Sequence, residues 1–163
     1  MDAQGMLKIL SLIGAELDRG RITWAVSGSL ALYLRGKAPL FHDIDLLVAE
    51  ADAARAKAAL LRLGKLQPPN PSPQYRTRHF WEFIVQGVEV DVMAGFAIVK
   101  GGREYYFPLE AGAVLERVPV NGAAVPLQPL PELRIWYELM GRAEKVRMID
   151  GALGAERTGE PSC

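Results

Sequence analysis

Two periods of hydrophobic and polar positions run through this chain and divide it into helices and strands. Leu7, Leu10, Ile13, Gly14 and Leu17 recur at helical spacing before Gly20, which predicts an amphipathic helix over 6–19. Residues 51–63, rich in Ala, Leu, Arg and Lys and followed by Gly64, predict another. A long C-terminal helix is expected over 131–153, with Leu133, Trp136, Leu139, Met140, Val146, Ile149 and Leu153 on its apolar side. Between these stretches the period falls to two. Residues 22–27 and 43–48 read as strands, and 80–85 and 88–93 flank Gln86-Gly87 as a tight antiparallel hairpin. In the second arm Val88, Val90 and Val92 share one face while Glu89, Asp91 and Met93 share the other. Residues 96–100 are expected to extend the sheet and turn through Gly101-Gly102 into 103–107, and 115–120 and 123–127 form a hairpin around a type I′ Asn121-Gly122 turn. The stretch 65–78 carries Pro68, Pro69, Pro71 and Pro73, a density that forbids regular structure. It reads as a loop, either a binding lid or a surface excursion.

The chemistry concentrates between residues 26 and 48. Gly28-Ser29 forms a small-residue turn that opens a short apolar helix over 30–35. Ser29 fits equally well as an ordinary helix N-cap. Asp43 and Asp45 head the following strand on the same face, with Cα atoms roughly 6.6 Å apart. Two like charges so placed raise each other's pKa unless a cation lies between them. Carboxylate oxygens without soft ligands suit Mg²⁺ or Mn²⁺. Asp91 can reach the same spot if the 80–93 hairpin lies beside the Asp43–Asp45 strand; taken alone, it fits the wet face of a half-buried sheet.

Taken together, Gly28-Ser29, thirteen intervening residues, Asp43-Ile44-Asp45 and a lone Asp91 on a later strand resemble the DNA-polymerase-β-type nucleotidyltransferase superfamily. The likeness is greatest to its small minimal members and to those of antibiotic-modifying and toxin systems, and spans roughly 5–150. It implies an α+β fold: a mixed β-sheet with helices packed on one face, in a single domain over 1–155 that ends in a C-terminal helix, with a frayed tail over 156–163. It further implies two Mg²⁺ (or Mn²⁺) ions held by Asp43, Asp45 and Asp91, with Asp91 helping to ionise the attacking hydroxyl. Gly28 and Ser29 would grip the outer phosphates of an NTP. The reaction implied moves an NMP from the NTP to a hydroxyl acceptor (a small molecule, a protein or an RNA end) with release of pyrophosphate. The alternatives are a catalytically weak NTP-binding or toxin–antitoxin module, for which a helical partner protein is expected, and a metal-dependent phosphodiesterase.

The cation for the triphosphate is less well marked. Lys37 is preferred because it lies between the two motifs, with Lys100, Arg103, Arg142 and Lys145 as alternatives. His42 and His79 read as loop and strand histidines, and Glu89 as a solvated or supporting acid. Trp136 suits the core better than a nucleobase. Lysine plus arginine and aspartate plus glutamate both total 19, and a formal net charge of zero argues against binding nucleic acid by bulk charge. A single cysteine, Cys163, allows no internal disulfide and no Cys-based zinc site. No apolar run is long enough to span a bilayer and the N-terminus does not read as a signal peptide, so a soluble, cytoplasmic protein is expected.

Overall fold

A computed structural model describes residues 1–158; the tail expected over 156–163 lies mostly outside them. Helix α1 (Ala3–Arg19) opens where the Asp2 carboxylate accepts the Gly5 N–H at 2.9 Å, and closes at Gly20. Strand β1 (Trp24–Ser27) leads into the short helix α2 (Gly28–Leu34), and β2 (Ile44–Val48) follows. A 3₁₀ turn at Glu50–Asp52 passes into α3 (Ala53–Leu63). Strands β3 (Lys65–Leu66), β4 (His79–Val85) and β5 (Val88–Ala94) complete a five-stranded sheet of order β1-β2-β5-β4-β3. The β2–β5 pair is parallel and the other pairs are antiparallel, so the sheet is mixed. A parallel pair needs a long crossover, and the chain between these strands supplies one that carries α3 and the β4 arm of the hairpin.

Alternation sorts the strands into two unlike faces. Ile44, Leu46 and Val48 of β2 and Val88, Val90 and Val92 of β5 are buried with Leu10, Ile13 and Leu17 of α1 and Leu60 of α3. Helices α1 and α3 therefore pack on this face, as expected. Asp45, Asp91 and Glu82 project from the opposite face, where Leu47 joins a smaller cluster with Phe96, Ile98 and Trp136. Trp136 belongs to α4 (Leu130–Met140) and stacks on Phe96 with ring centroids 3.8 Å apart. Helix α4 thus forms a wall beside the acidic face and does not follow the one-sided arrangement expected.

Three elements depart from the sequence reading. Strand β6 (Phe96–Lys100) pairs with β7 (Arg103–Phe107) in a separate two-stranded sheet and does not extend the main one. The chain bends away at Gly95, where any Cβ would lie 2.7 Å from side-chain carbons of Arg78 and Glu50. Lys65–Leu66, read as loop, is a short edge strand against Phe83 and Ile84, while 67–72 remains irregular. The single helix expected over 131–153 is two, α4 and α5 (Ala143–Thr158). Gly141 lies between them at φ 74°, and its N–H donates to the Glu138 carbonyl while that of Arg142 donates to the Tyr137 carbonyl. This is a Schellman ending, whose left-handed residue favours glycine. The last hairpin is β8 (Arg117–Val120) and β9 (Ala123–Pro126), with Asn121 and Gly122 both at positive φ as a type I′ turn requires. Among the described residues no helix is long and apolar enough to cross a membrane.

Nothing lies within 4 Å of a Cβ built on Gly141, so only its backbone conformation resists substitution. Gly141→Ala is expected to lower unfolding free energy by about 1 kcal/mol, measured by urea denaturation.

Candidate active site

Register places the acids. Ser27 pairs with Asp45, Asp45 with Asp91, and Asp91 with Glu82, so four side chains stand in one row across β1, β2, β5 and β4. Neighbouring strands are about 4.8 Å apart, and Asp43 precedes β2 on the same side. Asp43, Asp45 and Asp91 each offer a carboxylate oxygen, and these oxygens all lie within 4.8 Å of one another. The structure therefore brings together the three acids that the sequence singles out.

Their proximity shows in their protonation. Burial, then the charges of Asp43 and Asp91, push the Asp45 carboxyl well above the usual carboxylate range. Asp91 is raised to about 6, first by burial and then by Asp43, Glu82 and Glu89, against a hydrogen bond with Asp45. Burial and Glu89 raise Asp43, and His42 partly offsets them. Such a cluster is a proton or cation trap. All its donors are carboxylate oxygens, a set that fits Mg²⁺ or Mn²⁺ and gives no purchase to softer metals.

Beside this cluster Gly28 has φ 65°, and a Cβ there would lie 2.2 Å from Asp45 Oδ2. Position 28 thus requires glycine twice over, for conformation and for contact with the acid. Helix α2 starts at Gly28 with Ser27 as its N-cap residue, so Ser29 lies inside the first turn and not at the cap. The Ser27 hydroxyl makes no capping bond. It donates instead to Gln128 Oε1 at 2.6 Å, with both residues buried. Gln128 also donates through its backbone N–H to the Val26 carbonyl and through Nε2 to Glu132.

The acids, Gly28 and Ser29 line a cavity of about 870 Å³. The proline-rich segment 67–72 also lines it, as do Leu133, Tyr137 and Met140 of α4. Arg142, at the elbow after Gly141, and Lys145 of α5 also line it, as do Lys57 and His42. The Tyr137 hydroxyl is pushed up to about 12 by burial and then by the Asp45 charge.

Lys37 is not brought to the acids. It lines a separate groove of about 580 Å³ together with Arg35, Glu116 and Leu130, because the chain turns outward after α2 through Arg35 and Gly36. Lys100 and Arg103 lie on the β6–β7 sheet and are absent from the acid cavity's lining. His79 sits beside the Trp81 ring, 5.4 Å between centroids, outside the cavity. Trp136 is a core residue, 2 % exposed.

Sequence reasoning passed over Glu82, although the two-residue turn at Gln86-Gly87 implies its pairing with Asp91 by counting back along the hairpin. Ser27 and Gln128 carried no comparable signal: they are 101 residues apart. Lys57 sits on a helix whose orientation the sequence leaves open.

The fold has solved counterparts. TM1012 from Thermotoga maritima, a candidate nucleotidyltransferase, is 24 % identical with a TM-score of 0.71, covering 94 % of this chain and 96 % of that one. The antibiotic-resistance factor ANT(2″)-Ia is 18 % identical with a TM-score of 0.65, covering 96 % of this chain and 88 % of its own; another of its structures contains adenylyl-2″-tobramycin. The lincosamide antibiotic adenylyltransferase LnuA, solved with lincomycin, is 11 % identical with a TM-score of 0.55, covering 84 % of this chain and 86 % of that one. No protein-family model matches the sequence, and no curated protein does. Likeness at these identities establishes the nucleotidyltransferase fold, with its mixed sheet and terminal helices.

The raised Asp91 has a consequence for stability. Its carboxyl keeps a proton up to about pH 6 in the folded protein against 3.8 in the unfolded chain, so the folded state binds more protons between those values. Stability of the metal-free protein should therefore fall as pH rises through that window. Asp91→Asn is expected to flatten the dependence and to abolish the rise in melting temperature that Mn²⁺ gives the wild type; thermal melts from pH 4 to pH 7.5, with and without Mn²⁺, check both.

Proposed function

We propose that this protein is a metal-dependent nucleotidyltransferase that moves an NMP from an NTP to the hydroxyl of a small-molecule acceptor and releases pyrophosphate. The observation that carries this is the convergence of three carboxylates within 4.8 Å beside a glycine that only its missing side chain fits. The shared fold with two antibiotic-modifying proteins supports nucleotidyl transfer to a small molecule. The zero net charge gives no support to a long nucleic acid as acceptor.

In this reading Asp43, Asp45 and Asp91 hold two Mg²⁺ or Mn²⁺ ions, which would neutralise phosphate charge and acidify the attacking hydroxyl. Gly28 and Ser29 hold the outer phosphates through backbone and hydroxyl. Arg142 and Lys145, rather than Lys37, supply the cationic side chains. The acceptor oxygen forms a bond to the α-phosphorus as the bond from that phosphorus to the bridging oxygen breaks, and pyrophosphate leaves with that oxygen. The hydroxyl proton passes to Asp91. Catalysis is then mainly positioning and charge stabilisation. A cytoplasmic location, where NTP and Mg²⁺ are plentiful, suits this chemistry.

Calorimetry with Mg²⁺ and each of ATP, GTP, CTP and UTP should show metal-dependent binding of at least one nucleotide, lost in the Asp43→Ala/Asp45→Ala double variant. Labelled-NMP transfer to a panel of hydroxyl compounds should disappear in the same variant and in Gly28→Ala. Nucleotide binding without transfer to any acceptor would favour an NTP-binding module instead, and phosphodiester hydrolysis without NTP would favour a phosphodiesterase. A wild type that binds no nucleotide in the presence of Mg²⁺ overturns the reading.

A further inference from the structure

The row of side chains across the sheet has a direction. Gly28 and Ser29 stand at its β1–β2 end, Asp45 and Asp91 in the middle, and Glu82 at the β4 end. In an in-line displacement the entering oxygen approaches opposite the leaving one. If outer phosphates rest on Gly28 and Ser29, the acceptor must come in over β5 and β4. The nearest surface there is the pair formed by Phe80 and Met93, which face each other across β4 and β5 one step along from Glu82 and Asp91. Both line the cavity, as do Pro68, Pro69 and Pro71.

Charge narrows the occupant. Beyond the three clustered acids, Glu82 is the one carboxylate among the described residues that line the cavity; Arg142 and Lys145 belong to the phosphates, and Lys57 lies over the Trp81 ring, 5.4 Å from its centroid. A compound with several ammonium groups would find a single carboxylate there to pair with. We propose that Glu82, Phe80 and Met93 form the acceptor subsite, and that it selects a small hydroxyl compound with an apolar body and at most one positive charge. The body lies on Phe80 and Met93, the reacting hydroxyl reaches Asp91, and Glu82 accepts a hydrogen bond from a neighbouring hydroxyl or amine. This assignment rests on the nucleotidyltransferase reading for the position of the phosphates, not for the chemistry of the subsite.

The test uses butyl, hexyl and octyl β-glucosides below their micelle concentrations, with tobramycin as the polycation, on the full chain with Mg²⁺ and a non-hydrolysable ATP analogue. Saturation-transfer NMR and calorimetry read the binding. Affinity is expected to rise about fourfold per added methylene where the alkyl chain is fully buried, and tobramycin to bind at least tenfold more weakly than octyl glucoside. Phe80→Ser, at a partly exposed position that should not disturb folding, and Met93→Ser should each flatten the chain-length dependence, and Glu82→Gln should weaken all three glucosides equally. Affinity for the ATP analogue should be unchanged in Phe80→Ser and Met93→Ser. Preference for tobramycin, absence of glucoside binding, or chain-length dependence that survives in Phe80→Ser overturns the subsite. Failure of the ATP analogue to bind the wild type, measured in the same samples, counts against the nucleotidyltransferase reading instead.

Discussion

Mutual repulsion among Asp43, Asp45 and Asp91 is the constraint around which this molecule is arranged, and the sheet pairing enforces it. Parallel pairing of β2 with β5 sets Asp45 against Asp91, and β2 cannot shift by one residue to separate them. Such a slip would turn Ile44, Leu46 and Val48, all at most 1 % exposed, out of the core and bring the acids in. Burying one such side chain stabilises a fold by about 1.5–3 kcal/mol. Three on β2 and three valines on β5 together hold this register against the cluster. Hydrophobic pairing on one face thus sustains a charge cluster on the other.

The same economy of strands governs what stands over the acids. Because one face is covered by α1 and α3, the site has to be walled from outside the main sheet. The β6–β7 ribbon and α4 do this through the Phe96–Trp136 stack and its contact with Leu47. Gly141 then turns the chain so that Arg142 and Lys145 face the cavity. A continuous helix over 131–153 would carry those two residues onward along the α4 axis.

Legibility in the sequence followed the range of the interaction. Elements set by local period were plain: α1, α3, both arms of the 80–93 hairpin and the Asn121-Gly122 turn. The acid trio was readable because two members lie on one strand and the third on a strand of matching alternation. What failed depended on contacts between distant segments. Lys37 looked well placed by its position between two motifs, but the turn after α2 carries it into another groove. The break at Gly141 was written in the sequence as a single glycine, and an uninterrupted apolar stripe on either side masked it. The departure of β6 from the sheet rests on packing of Gly95 against Arg78 and Glu50, which no periodicity encodes.

The buried bond from Ser27 to Gln128 joins these themes. Ser27 is the last residue of β1, immediately before the glycine that packs against Asp45, and its hydroxyl is taken up by the bond to Gln128. Gln128 fastens it, and fastens Val26 through the backbone, just before α4 begins. The Arg35 guanidinium reaches the Gln128 carbonyl at 2.7 Å, so the far end of α2 is tied to the same residue. Both ends of the short helix that follows Gly28 are therefore anchored to one point on the segment that leads into the cavity wall. A seven-residue helix has too few internal hydrogen bonds to hold its own direction. Its direction comes from Gln128, and the position of Gly28 and Ser29 relative to the acids comes with it.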